Sequence, residues 1–83
     1  MALSVKMYSL STCSHCHHAK KFMDDCAVAY EFRDIDLLVG EERQAILDEI
    51  IKINPRCTFP TIVIGDKVII GFDEKEIREC LGL

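Results

Sequence analysis

The sequence has few of the features that membrane, disordered or exported chains require. Its 83 residues include no Trp, four Gly and two Pro, and no segment has low complexity. No apolar run approaches the roughly 18–20 residues that a membrane helix needs. The first ten residues, MALSVKMYSL, are interrupted by Lys6, unlike the apolar region of a signal peptide. We therefore expect one small domain, residues 1–83, in a cytoplasmic monomer without membrane contacts.

Positive charge is scarce and unevenly distributed along the chain. The formal net charge is −4, and we expect no nucleic-acid partner, since phosphate binding needs concentrated Lys and Arg. The first 21 residues hold three lysines and no acid, whereas the rest carries seven bases and fourteen acids. This pattern fits a solvated surface, but it also fits a positive setting that favours a thiolate in the first segment.

Cysteine is plentiful, but the number is odd. The five cysteines are Cys13, Cys16, Cys26, Cys57 and Cys80. Without an export context we do not expect a disulfide framework, and Cys26 and Cys80 fall at apolar positions of helical patterns. Cys13 and Cys16 form a local pair within STCSHCHH, residues 11–18. That segment fits a redox dithiol, a haem attachment site or part of a zinc site.

Hydrophobic periodicity predicts the order β-α-β-α-β-β-α. Strands are predicted at residues 3–10 and 28–37 and in a hairpin over 61–71 that turns at Gly65-Asp66. Helices are predicted at 13–27 with Thr12 as N-cap, from Gly40 to Asn54-Pro55, and after the capping residue Asp73. The first βαβ unit implies parallel strands, to which the hairpin adds antiparallel ones. We expect an α/β fold with a mixed four-stranded sheet covered by three helices.

The Cys13–Cys16 pair follows a predicted strand and opens a predicted helix. Free backbone N–H groups and the positive end of the helix dipole stabilise a thiolate at that place. We therefore predict that Cys13 attacks a substrate disulfide and that the sheltered Cys16 resolves the mixed disulfide. His15 and His17 are candidate modulators of the thiolate, and exposed polar positions are the alternative interpretation.

The competing chemistries fit the rest of the chain poorly. Haem attachment needs export and is typical of mostly helical chains, whereas several strand patterns are present. A structural zinc site needs four ligands, usually two spaced pairs, and the sequence has no second C-x-x-C or H-x₃₋₅-H. A C-x-x-C within a βαβ pattern is typical of thiol redox proteins.

A second candidate segment is CTFPT, residues 57–61, which precedes the third predicted strand. A cis Phe59-Pro60 bond would present the Phe59 backbone for pairing with an extended substrate, and a trans loop proline is the alternative. Cys57 could form off-path disulfides near the dithiol, but we favour an inert loop cysteine.

Three segments, in this order, resemble the glutaredoxin family over essentially the whole chain: TCSHC (12–16), TFPTIVIG (58–65) and GFDEKEI (71–77). The resemblance implies a thioredoxin-like fold, a cis Pro60 and dithiol–disulfide exchange with Cys13 as nucleophile and Cys16 as resolving thiol. It implies neither a bound cofactor nor a metal, and it makes glutathione the expected reductant or substrate. The implied glutathione contacts are Thr58, Phe59, Pro60, Gly71, Phe72 and Asp73.

The chain departs from the family pattern at two places. Cys-Ser-His-Cys replaces the usual Cys-Pro-Tyr-Cys, and Leu10 replaces a lysine that anchors a glutathione carboxylate. The candidates for a replacement anchor are Arg56, or Arg43 and Gln44 on the second helix.

These departures leave the reductant and substrate open. Phe72, in the Gly71-Phe72 pair, makes this segment similar to that of glutaredoxin-like proteins that serve ribonucleotide reductase and draw electrons from thioredoxin reductase. We expect an oxidoreductase that reduces protein or glutathione mixed disulfides. The alternatives are a donor that depends on thioredoxin reductase, and an iron–sulfur or metal-binding scaffold that uses Cys13.

Overall fold

The computed structural model describes residues 4–83, within which one sheet and three α-helices form. The elements are β1 (Val5–Ser9), α1 (Ser14–Asp25), β2 (Glu31–Asp34), α2 (Gly40–Ile53), β3 (Thr61–Ile64), β4 (Lys67–Ile70) and α3 (Glu74–Leu81). The predicted order β-α-β-α-β-β-α is confirmed. Leu3, the predicted start of the first strand, lies outside the described residues. In the described range, no helix has both the length and the apolarity to cross a membrane.

The four strands lie in the order β2-β1-β3-β4, with β1 and β3 at the centre. β1 pairs in parallel with β2, so that Ser9 lies opposite Asp34, and antiparallel with β3. β3 and β4 form the predicted hairpin, in which Gly65 adopts the positive φ of +57° that the tight turn requires. Because β2 is parallel and β3 antiparallel to β1, the segment that follows β1 lies at the same end of the sheet as the last residue of β2 and the first residue of β3.

The helices cover both faces of the sheet. α1 and α3 pack on one face, which we call the α1 face, and its buried cluster consists of Val5, Met7, Ala19, Phe22, Met23, Ile62, Ile64, Ile69 and Ile77. α2 packs on the opposite face, the α2 face, where Tyr8, Ile35 and Ile50 are buried. The half-buried side chains around that smaller cluster are Leu10, Leu38, Ile46, Leu47, Cys57, Phe59 and Val63. The dithiol helix therefore packs on one face of the sheet, and the segment before β3 contacts the other face through Cys57 and Phe59.

The second strand is shorter than the predicted 28–37. β1 ends at Ser9, so a strand beside it finds no partner beyond Asp34, and Ile35–Leu37 instead forms a short 3-10 helix. At the other end, Ala27 has a positive φ of +56° in the turn that follows α1, and pairing begins only at Glu31.

Candidate active site at the start of the first helix

A tight turn after β1 brings Cys13 to the beginning of α1. Its N–H donates to the Leu10 carbonyl over 3.2 Å, and its own backbone is extended. The Cys13 Sγ accepts a hydrogen bond from the backbone N–H of Cys16 over 3.4 Å. Cys13 is therefore the N-cap of α1, and the prediction of Thr12 in that role is wrong because the chain enters the helix one residue later. The half-buried thiol lies at the free N–H groups and the positive end of the helix dipole.

Cys16 lies one helical turn further on and is fully buried. Burial and the hydrogen bond from its thiol to Cys13 raise the pKa of Cys16 to about 12. Cys16 is therefore a neutral thiol at neutral pH, whereas Cys13 is the member of the pair that a substrate can reach. This difference in access matches the predicted roles of nucleophile and resolving thiol, which remain predictions.

The turn before Cys13 is also held by hydrogen bonds between Ser11 and two residues outside the turn, Asp36 and His17. The backbone N–H of Ser11 donates to Asp36 Oδ1 over 2.8 Å, and the Ser11 hydroxyl donates to Asp36 Oδ2. These two hydrogen bonds lower the pKa of the Asp36 carboxyl. His17 donates from Nε2 to the Ser11 carbonyl over 2.7 Å, so its ring is engaged by the backbone of the same turn. His15 lies edge-on against His18, with 6.4 Å between the ring centroids.

The Phe59-Pro60 segment lies before β3, and its peptide bond is cis, as predicted. Pro60 is buried, Phe59 is half-buried and Thr58 is exposed. The Pro60 carbonyl accepts a hydrogen bond from the Gly71 N–H over 2.8 Å. That bond joins the two segments that the resemblance assigns to glutathione, the one before β3 and the one after β4.

Phe72 and Asp73 follow Gly71, which has a positive φ of +83°. Phe72 packs against Phe22 with 5.9 Å between the ring centroids, so its ring faces the core of the α1 face. Asp73 accepts a hydrogen bond from the Glu76 N–H over 3.1 Å and caps α3, as predicted. Contact of either side chain with a ligand remains a prediction.

Asn54, the C-cap of α2, is a structural part of the site that sequence reasoning interpreted only as a helix end. It is buried, and its Nδ2 donates to the Thr58 carbonyl, the Thr58 hydroxyl and the Thr61 hydroxyl over 3.2, 3.1 and 3.0 Å. The Thr61 hydroxyl donates in turn to the Thr58 carbonyl over 2.7 Å. One buried side chain therefore holds residues on both sides of Pro60. The available signal was a polar residue placed directly before Pro55 at the end of an apolar helix.

The thiols and histidines do not converge as a metal site. All five cysteines carry free thiols. Across residues 4–83, no three His, Cys, Asp or Glu side chains cluster as metal ligands would.

The glutaredoxin family model matches residues 5–69 of this chain. The solved structure of methanoredoxin from Methanosarcina acetivorans is 41% identical, with a TM-score of 0.91, over 96% of this chain and 85% of that one. A glutaredoxin from Methanosarcina mazei Go1 is 43% identical, with a TM-score of 0.88, over 96% and 79% of the two chains. The glutaredoxin grx-1 from Archaeoglobus fulgidus is 36% identical, with a TM-score of 0.88, over 94% and 85%. Among curated proteins, none matches this chain significantly.

These similarities agree with the topology and with the dithiol at the start of α1. The predicted thioredoxin-like fold, with its mixed four-stranded sheet and three helices, is confirmed. The C-x-x-C pair and the segment before β3 both fall inside the matched residues. The chain belongs to the glutaredoxin family and is a glutaredoxin-like thiol redox protein.

Proposed function

We propose that this protein is a thiol–disulfide oxidoreductase that reduces protein disulfides and glutathione mixed disulfides through Cys13 and Cys16. The observation that carries the proposal is the asymmetry of the pair. Cys13 is half-buried and caps α1 with its sulfur, whereas Cys16 is fully buried one turn behind it. An accessible thiolate at a helix N-terminus is a nucleophile, and a sheltered neighbouring thiol completes the exchange.

The reaction has two exchange steps. The Cys13 thiolate attacks one sulfur of the substrate disulfide, that bond breaks, and the first substrate thiolate leaves with the electron pair and takes up a proton. Cys16 then loses its proton and attacks the Cys13 sulfur. A Cys13–Cys16 disulfide forms, and the second substrate sulfur leaves as a thiol. Two electrons and two protons from a thiol or flavoprotein reductant restore the dithiol.

The segments around Pro60 and Gly71 supply the proposed substrate surface. The backbone of Phe59 would pair with the cysteine residue of glutathione or with an extended stretch of a protein substrate. The backbone of the Gly71–Asp73 stretch would contact the γ-glutamyl end, since the Phe72 ring packs against Phe22. The hydrogen bond from Gly71 to the Pro60 carbonyl supports this proposal, because it gives the two segments one fixed relative position.

The physiological reductant has two candidates, glutathione and thioredoxin reductase. Both belong to the cytoplasm, where we place this protein. Leu10 is half-buried among the α2-face residues and provides no charge for a carboxylate, which weakens the case for glutathione. Arg56 is exposed beside the Pro60 segment and remains the proposed replacement anchor.

The experiment compares NADPH consumption with two reducing systems, glutathione with glutathione reductase and thioredoxin reductase alone. Cys13→Ser should abolish disulfide reduction, and Cys16→Ser should accumulate a mixed disulfide with protein substrates. Cys80→Ser, a matched change of a half-buried thiol on α3, should leave the rates unchanged. Full activity of Cys13→Ser, or no activity of the native protein with either system, would refute the proposal. Turnover with thioredoxin reductase alone would assign the second reductant.

A further inference from the structure

A shielded ion pair lies behind the dithiol, and the two exchange steps described above do not use it. Lys20 Nζ is 3.0 Å from Asp34 Oδ1, and the two side chains are only 16% and 13% exposed. The other ion pairs formed within residues 4–83 have side chains that are 48% to 75% exposed. Because removing two charges from water costs about as much as their attraction returns, a shielded pair is weak evidence for a role in stability alone.

The pair is built with several supporting contacts. Asp34 Oδ1 also accepts a hydrogen bond from the buried Ser9 hydroxyl over 2.6 Å. The Lys20 ammonium lies 4.1 Å from the centroid of the Phe32 ring. Lys20 therefore has a defined position between a carboxylate and an aromatic face, which fixes where its positive charge lies.

The Lys20–Asp34 pair lies on the side of α1 that carries Cys16 and is shielded from the solvent. Lys20 follows Cys16 by four residues in α1, so both side chains lie on the same side of the helix. Ser9 and Asp34 are opposite each other at the ends of β1 and β2, directly before the turn that leads to Cys13. Lys20 thus follows the buried Cys16 by one helical turn, and its charge acts on the Cys16 thiol.

Cys16 needs a nearby positive charge because it must ionise where it is fully buried. Burial, the hydrogen bond to Cys13 and the charge of Cys13 raise its pKa. A backbone hydrogen bond from Leu10 and the charge of Lys20 act in the opposite direction. Lys20 is thus the charged side chain that favours the Cys16 thiolate.

We infer that Lys20, held in place by Asp34 and Ser9, stabilises the Cys16 thiolate during its attack on the mixed disulfide. The inference rests on the proposed function and concerns its second step. Cys16 gives its proton to the departing substrate sulfur, a Cys16–Cys13 bond forms, and the Cys13–substrate bond breaks. The Lys20 ammonium keeps its proton throughout and contributes only its charge.

Stopped-flow reaction of the reduced protein with equimolar 5,5′-dithiobis(2-nitrobenzoic acid) separates the two steps, in a Cys26→Ser/Cys57→Ser/Cys80→Ser background that removes the three other free thiols. Release of the first thionitrobenzoate reports attack by Cys13, and release of the second reports attack by Cys16. Lys20→Met should slow the second phase severalfold, because it removes the charge that favours the Cys16 thiolate, and should leave the first phase unchanged. Lys20→Arg keeps the charge and should restore the second phase.

Lys21→Met is the matched control, because Lys21 is the next residue of α1 and forms an exposed pair with Asp25. Both phases should keep their native rates in that variant. If Lys20→Met does not fold, Lys20→Met/Asp34→Asn removes both charges and leaves no unpaired carboxylate, and its second phase should also be slow.

The dependence of the second phase on pH distinguishes a charge effect from a packing effect. Loss of the Lys20 charge should move the rise of the rate to higher pH, whereas a packing defect would lower the rate equally at every pH. A second phase with the native rate and pH profile in the variants without the charge would overturn the inference. Absence of the first phase in the native protein would instead overturn the proposed function.

Discussion

Different interactions hold the chain against each of the two faces of the sheet. Among the described residues, nine apolar side chains are buried in the cluster on the α1 face, and three are buried in the cluster on the α2 face. On the α1 face, which carries the dithiol helix, apolar packing dominates. On the α2 face, which carries the segment before β3, most apolar side chains are half-buried.

The difference shows how one small domain can support two tasks. Close packing of Phe22 and Met23, two side chains of α1, within the buried cluster that also contains Met7 of β1 fixes the helix, and with it the distance between the two thiols. The Thr58–Pro60 segment must keep its outer backbone accessible if a substrate is to pair with it, so apolar burial holds only its inner side, at Phe59 and Pro60. The hydrogen bonds of Asn54 add to this burial, because they fix positions without covering the outer surface.

The largest expected effect is the loss of a core side chain on the α1 face. Met23→Ala should reduce the free energy of unfolding by about 2–5 kcal/mol, since Met23 is fully buried. Leu47→Ala, a matched truncation of a half-buried residue on α2, should cost clearly less. Urea denaturation of both variants measures the difference. Equal losses would show that the two faces contribute alike.

The second effect concerns the polar anchor of the α2 face. Asn54→Ala should cost about 1–3 kcal/mol, because the buried Thr61 hydroxyl and the part-buried contacts at Thr58 lose their donor. It should also speed amide hydrogen exchange at residues 57–61. Gln44→Ala, which removes an exposed amide bonded to Asp48 on the same helix, is the control and should change neither quantity. Unchanged exchange in Asn54→Ala would contradict the role given to this side chain.

A smaller effect is expected at the polar contact that starts α3 on the α1 face. Asp73→Ala removes the acceptor for the Glu76 N–H and should cost about 1 kcal/mol. Asp73→Asn retains a capping oxygen and should stay near the native stability. Thermal unfolding of the two variants tests the assignment, and an equally large loss in both would place the effect in the charge rather than in the cap.

The smallest effect concerns the titration of Asp36, which lies near the dithiol. The hydrogen bonds that Ser11 donates to Asp36 lower the pKa of this carboxyl. The contribution of these hydrogen bonds to stability is thus complete above the unfolded pKa of about 3.9 and is lost as the pH falls through the folded pKa. Carbonyl NMR should show Asp36 titrating below its ordinary value, and Ser11→Ala should raise the midpoint. An identical midpoint in Ser11→Ala would contradict the contact.

The parts of the fold that depend on neighbours in sequence were predictable. Helical and alternating patterns identified every helix and strand, and the Gly65-Asp66 turn marked the hairpin. The end of the second strand was not predictable, because it depends on where β1 ends and not on the residues Ile35–Leu37 themselves. β4 shows the same limit. A run of Ile and Val is typical of a strand that is buried on both faces, but β4 is an edge strand and Ile70 is 54% exposed.

The candidate site divides in the same way. The local C-x-x-C spacing marked Cys13 and Cys16 as the candidate dithiol, and the TFPTIVIG segment (58–65) marked Pro60 as a cis proline. The N-cap prediction failed by one residue because Asp36, distant in sequence, holds Ser11 and shapes the turn. The pair of Lys20 with Asp34 also required the sheet register, which no local pattern contains.

The sulfur of Cys13, the proposed nucleophile, also caps the helix. A disulfide at this atom changes the acceptor of the hydrogen bond from the Cys16 N–H, so each proposed exchange step changes the stability of the first turn of α1. Chemical state and secondary structure are therefore thermodynamically linked, and stabilising that turn also favours the reduced protein. The Cys16 amide becomes a natural reporter: its exchange rate would follow the oxidation state of the protein without any added probe.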